Sequence, residues 1–305
     1  MRVTDTMFYD RAEVDGAAAR SRLDQATATA SSGLRVVQPG DDPGAAGALV
    51  SEGVNMQRIG AIATAAGRAA DEVTAASDAL GQIQTSLARA SEIAVQLSSS
   101  QYGASERAGG AAEVQALIST ILSDANTKVG DRYIFGGTAD SAQPFDGLAL
   151  AADGTVDAST GTYRGAADTR QVEIAPGVAQ DASLRADVAL RGVGGGVDVI
   201  ATLTSLANAL SANNAAGVAA TVGQLSQGVS QVSTAQSQAG TCLDTLDTAV
   251  SANQAASSDA QKRIANLGDA DEIQSASDLA LAQHALDTSL TAISQSFKFS
   301  LVDKL

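Results

Sequence analysis

The sequence predicts a mainly α protein with a small β-rich insert. Its N- and C-terminal halves are expected to form an elongated, antiparallel, coiled-coil-like stalk of long helices. Three observations carry this expectation. An apolar stripe with alternating steps of three and four residues runs for more than five heptads in the first half. A matching stripe runs through the second half. Between Asp131 and Gly196 the pattern changes to Gly, Thr and short alternating runs, the signature of strands and turns.

Taken in order, the first 38 residues carry only a weak stripe of Met7, Val14, Leu23 and Leu34. Pro39-Gly40-Asp41-Asp42-Pro43 then reads as a turn, with Asp42 as helix cap and Pro43 in the first helical position. From there Ile59, Ile62, Ala66, Ala69, Val73, Ala76, Leu80, Ile83, Leu87, Ala90, Ala94 and Leu97 form one seam. A helix from 43 to about 98 would be roughly 84 Å long, too long for a compact globule to hide. Ser98 to Gly103 reads as a turn. A second helix is expected from near Ser105 to Gly130, carrying Val114, Ile118, Ile121 and Ala125 and folding back on the first.

In the middle, Arg132-Tyr133-Ile134-Phe135, Gly161-Thr162-Tyr163-Arg164 and Arg170 to Ile174 read as strands, with Asp153-Gly154 a hairpin tip. Gly194-Gly195-Gly196 reads as a hinge back into helix. Ile200, Leu203, Ala207 and Leu210 form a short stripe before Asn213-Asn214. The second long seam is Val222, Leu225, Val229, Val232, Gln236, Ala239, Leu243, Leu246 and Val250. It continues past polar Asn253 and Ser257 through Ala260, Ile264 and Leu267. A tail stripe follows, with Leu279, Leu286, Leu290, Ile293 and Phe297 at helical spacing. Neither terminal stripe has an evident partner in the stalk, so association is expected there. Three regions result: 1–40 with 268–305 as a terminal helical assembly region, 41–130 with 199–267 as the stalk, and 131–198 as a β-rich outer domain.

Composition narrows function. The chain has no Trp, 4 Tyr and 5 Phe among 305 residues, so Ala, Val, Leu and Ile must make thin helix interfaces. A formal charge of −15 argues against nucleic acid or an anionic membrane as partner. No run of 18 apolar residues spans a bilayer. Met1-Arg2-Val3-Thr4-Asp5 lacks the apolar core and cleavage site of a conventional signal peptide. One Cys excludes an internal disulfide framework.

Catalytic chemistry leaves no trace either. His284 is the only histidine, and one imidazole with one thiol cannot build the usual zinc clusters. No nucleophile-elbow motif occurs, none of Lys128, Lys262, Lys298 and Lys304 follows a Gly, and the Gly192–Gly196 run lacks the last Gly of a dinucleotide fingerprint. Asp41-Asp42 and Asp271-Glu272 stand at helix starts, where capping explains them. Cys242 flanks the seam as a small hydrophobe. No catalytic residue, cofactor or metal site is expected. Gly53, Gly60, Gly67 and Gly81 share one heptad position, which reads either as close approach of another helix or subunit, or as compositional drift.

Three stretches carry a resemblance. Ala30 to Val37, running through Arg35 into Gly40-Asp41-Asp42-Pro43, is similar to the turn joining the terminal helix to the long helix in the flagellin superfamily. Val36-Val37 and Asp41-Asp42-Pro43 look more like the hook-associated protein 3 family, the hook–filament junction proteins, than like filament flagellins. Asp131-Arg132-Tyr133-Ile134-Phe135-Gly136-Gly137-Thr138 with Pro144-Phe145 resembles the lead-in to that family's β domain, and Ile264 to Leu305 its C-terminal helix. The resemblance covers roughly 1–140 and 215–305. It implies an extracellular subunit secreted by type III export and self-assembling through its terminal helices. The implied partners are copies of itself, a neighbouring hook-associated protein, flagellin, and an export chaperone on the C-terminal helix. Arg35, Asp41, Asp42, Pro43, Arg132, Tyr133, Ile134, Phe135, Leu279, Leu286, Leu290, Ile293 and Phe297 are the implied assembly and structural residues. The alternatives are a filament flagellin and, more remotely, a coiled-coil adhesin or signalling stalk.

Overall fold

The structure, a computed structural model, describes residues 2–302; the side chains of 1–6, 8, 9 and 296–305 lie outside the described residues. The order is α1 (Arg2–Ser32), α2 (Pro43–Leu97), α3 (Ala104–Ala125), β1 (Lys128–Val129), β2 (Arg132–Tyr133), β3 (Gln171–Ala175), β4 (Val178–Asp181), α4 (Ala186–Arg191), α5 (Val199–Ser211), α6 (Ala215–Gly268) and α7 (Glu272–Val302). The protein is mainly α with a small β insert, as expected: β1 pairs with β2 and β3 with β4, each antiparallel. The chain divides into two compact units, Ile59–Gln254 and Met1–Arg58 with Ala255–Leu305.

In the Ile59–Gln254 unit, all twelve seam residues from Ile59 to Leu97 are buried. So are Val114, Ile118, Ile121 and Ala125 of α3, and Ile200, Leu203, Ala207 and Leu210 of α5. The part of the α2 stripe from Ala76 to Leu97 meets the α3 and α5 stripes in one core with Val218, Leu225 and Val232 of α6, a four-helix arrangement in which each helix buries one face. On α6 a run of buried positions falls seven apart, at Val218, Leu225, Val232, Ala239, Leu246 and Asn253. Asn253 is thus a buried seam residue. Its amide donates to the Ile174 carbonyl at 2.7 Å and to Ala249 at 2.7 Å, which satisfies a polar group placed among apolar ones.

The helix after the first turn stops at Ala125, earlier than expected. Asn126 caps it, and Gly130 (φ 59°) turns β1 into β2 instead. The strand expected over Arg132–Phe135 ends at Tyr133, because Ile134 and Phe135 turn into the core. The Gly161–Arg164 strand reduces to one bridge, Phe145 to Tyr163. Phe145 and Tyr163 rings pack tilted at 52° with centroids 5.0 Å apart, and the Tyr163 hydroxyl donates to the Phe135 or Ala166 carbonyl, each at 3.1 Å. Burial pushes that hydroxyl's pKa up to about 12. Asp153-Gly154 does form a tip, closed by Ala151 N–H to Thr155 at 2.8 Å.

Two polar side chains hold the connections. Arg107, only 4% exposed, has no carboxylate among its hydrogen-bond partners. Its guanidinium donates to the Leu97 and Ser99 carbonyls at 3.0 and 2.8 Å, and to the Asn213 side chain at 2.5 Å. It therefore ties the end of α2 to the α5–α6 turn, where the helix's negative end favours a cation. Gln231 does the same for the glycine run. Its amide donates to Val188, Ala189 and Val197 carbonyls, and its oxygen accepts from Val197 N–H at 2.9 Å. A Cβ on Gly192 (φ 68°) would collide with the Gly196 backbone, so the expected hinge is a pinned loop that requires glycine there.

Candidate assembly joint

In the other unit the polypeptide turns between α1 and α2 and meets the α6–α7 connection. Gly33 (φ 69°) ends α1, with its N–H on the Thr29 carbonyl at 3.0 Å. Leu34 and Asp269 then form a bridge, with Arg35 N–H on the Gly268 carbonyl at 2.7 Å and Ala270 N–H on the Gly33 carbonyl at 2.9 Å. The Arg35 side chain donates to the Leu267 carbonyl at the end of α6 (2.7 Å) and to the Asp42 carboxylate (2.9 Å). Asp42 in turn accepts from Ala45 N–H at 3.0 Å at the start of α2, whose first residue is Pro43. A cation thus sits on a helix C-terminus and an anion on a helix N-terminus, the orientation both macrodipoles favour. The Ala45 amide and then the Arg35 guanidinium hold the Asp42 carboxyl below its ordinary value.

Asp41 performs a separate task. Its carboxylate accepts from Val37 and Gln38 N–H at 3.0 and 2.8 Å, closing the turn ahead of α2. Asp271 caps α7 through Ile273 and Gln274 N–H. Further along, Arg263 pairs with Glu52 at 3.1 Å, and Leu49 packs where a Cβ on Gly268 would lie.

The terminal stripes, expected to lack an internal partner, pack on each other: α1 and α7 run antiparallel. The seam uses small residues. On α1 the sheltered positions are Ala12, Gly16, Ala19, Leu23 and Ala26; on α7 they are Ser275, Leu279, Ala282, Leu286, Ser289 and Ile293. Ile293 seats against Gly16, 3.6 Å from where a Cβ would be. Reading only large apolar residues misses most of the α1 side of this seam, since Met7 and Val14 are each 66% exposed and Leu34 is also exposed. Of the tail residues, Leu279, Leu286 and Ile293 lie on the seam and Leu290 faces outward at 45% exposure; the Phe297 side chain lies outside the described residues. Leu281 and Ile273 add to the outward apolar surface. Two grooves flank the seam, about 440 Å³ beside Leu281 and about 630 Å³ beside Leu290.

Arg132, Tyr133, Ile134 and Phe135 belong to the Ile59–Gln254 unit, so the structure does not gather all the expected residues into one site. Arg132 pairs with Asp140 at 3.3 Å and Tyr133 N–H donates to the Asp140 carbonyl at 2.8 Å. Lys128 lies over the Tyr133 ring at 4.3 Å. Among the described residues Gly53, Gly60 and Gly67 meet nothing within 4 Å, whereas a Cβ on Gly81 would lie 3.3 Å from the Gln236 side chain of α6, so close approach of another helix is seen at one of the four. Among the described residues no group of three His, Cys, Asp or Glu side chains could hold a metal, and no helix is long and apolar enough to cross a membrane.

Comparison with known proteins agrees with this architecture. Residues 9–140 match the family of the bacterial flagellin N-terminal helical region, which bears out the resemblance read from the first half. No curated protein matches the chain. Among solved structures, one described as a flagellar hook-associated protein from Vibrio parahaemolyticus aligns with a TM-score of 0.64 and 19% identity, covering 75% of this chain and 100% of that one. FlgL from Xanthomonas campestris aligns at 0.56 and 18%, covering 69% and 99%. Flagellar hook-associated protein-3 from Legionella pneumophila aligns at 0.58 and 15%, covering 71% and 98%. At these identities the likeness is one of fold.

Proposed function

We propose that this chain is a structural subunit of the bacterial flagellum that joins hook to filament, assembling through its terminal helices. One observation carries the reading. A chain whose first half matches the flagellin N-terminal helical region also covers almost the whole length of hook-associated structures. The joint at Arg35 and Asp42 suits such a part, since it fixes where both terminal helices leave the long ones. Apolar Leu281 and Leu290 on the outward side of α7 offer contact surface to neighbours. In this reading the partners are further copies, a neighbouring hook-associated protein and flagellin, with an export chaperone on α7 before assembly. The protein works outside the cell after type III export, and its role is mechanical with no reaction catalysed.

Immunogold labelling of isolated flagella tests the proposal. Label confined to the hook–filament boundary is expected. Label along the whole filament would make the chain a flagellin, and absence from flagella would favour an adhesin or signalling stalk.

A further inference from the structure

The long-helix pair is thinly packed in one stretch. Beyond the reach of α3 and α5, α2 presents Ala66, Ala69, Ala70 and Val73, and α6 answers with Ala239 and Leu246. Methyl groups bury little area per residue, so this contact alone is weak. The β3–β4 hairpin lies on that stretch and supplies Val172, Ile174, Ala182 and Leu184 to the same cluster. Polar ties fasten it at three points. Arg170, at its root, pairs with Glu72 of α2, and also with Asp140 at 3.6 Å. The Ile174 carbonyl of β3 accepts from Asn253 of α6, and the Asp181 carbonyl accepts from the Cys242 thiol of α6 at 3.2 Å.

The hairpin has little to hold it together by itself. It has two strands, an irregularity between Glu173 and Ala175, and a tip at Gly177 (φ 79°). An isolated two-stranded ribbon is marginal in water, so it persists because of its seat. We propose that the β3–β4 hairpin is a strap that opens and closes as a unit, and that its closed form clamps α2 to α6 across the alanine-rich stretch.

The chain carries its own reporter, since Cys242 is the single cysteine and lies half-buried at the edge of the strap. Its alkylation by iodoacetamide should be slow in the native protein and should report strap opening. Glu72→Gln, which removes the nearer of the two charges facing Arg170, should speed alkylation by about tenfold or more while helical circular dichroism keeps its melting midpoint. Arg89→Gln, which removes two surface pairs elsewhere, should leave the rate unchanged. In the unsubstituted protein, low urea should expose Cys242 before helix is lost. An unchanged rate in Glu72→Gln, or alkylation that rises only together with helix loss in both experiments, would overturn the proposal.

Discussion

Substitutions on the two sides of α7 separate internal packing from assembly. Leu286 and Ile293 are sheltered by α1, whereas Leu281 and Leu290 are 64% and 45% exposed. Full burial of such a side chain contributes about 1.5–3 kcal/mol, so cutting a mostly buried seam residue back to Ala, which keeps its β-carbon, costs about 1 kcal/mol. Leu286→Ala with Ile293→Ala should therefore weaken the α1–α7 pairing by about 2 kcal/mol. That corresponds to roughly thirtyfold faster hydrogen exchange in the middle of α1, if exchange there proceeds by local opening. Leu281→Ser with Leu290→Ser should speed this exchange less than the seam pair does, yet abolish incorporation into flagella. The assay is exchange mass spectrometry on the monomer, with incorporation scored by labelling. Equal loosening by both pairs, or normal incorporation of Leu281→Ser with Leu290→Ser, would refute the division of α7 into an inner and an outward face.

Three further outcomes are expected. Arg107→Met leaves two carbonyls and the Asn213 side chain without their donor, at a cost of about 3 kcal/mol, or about 6–12 °C in the melting of a unit of roughly 200 residues; a fall under about 2 °C would contradict the pin. Asp124 has a buried carboxylate oxygen without a partner, and burial raises its pKa. The folded state thus favours the protonated form, and the penalty is full above the folded pKa and vanishes below the unfolded one. Asp124→Asn should melt higher at pH 7, with the gain disappearing below about pH 4; a lower melting temperature at pH 7 would refute this. Gln231→Ala should destabilise by about 1–3 kcal/mol and make the Gly192–Gly196 loop susceptible to proteases, whereas an unaffected loop would restore the hinge reading.

What the sequence disclosed follows from which forces act at short range. The twelve-residue stripe from Ile59 to Leu97 was legible because a helix repeats its environment every turn, and the structure buries all twelve. Asp42 and Pro43 were legible because capping is local. Arg107 and Gln231 were not, since each bonds to residues remote in sequence and nothing in its own neighbourhood marks it, and Asn253 showed as a polar break in the seam while its partner Ile174 did not. The α1–α7 seam was hidden for a different reason. Leu23, Leu279, Leu286 and Ile293 stood out, but alanine, glycine and serine fill the rest of it and are common everywhere in this chain, so the pairing shows only when the two helices are placed together. Arg35 was marked by resemblance alone; its two partners, Leu267 and Asp42, required the fold.

The central claim is that this subunit connects two polymers, and loss of the gene tests it most directly. Electron microscopy of the deletion strain should show hooks that are built but bare, with flagellin monomers in the medium. Restoring the full chain should regrow filaments, and a variant lacking residues 280–305 should not. Filaments of normal length and normal motility in the deletion strain would contradict the account.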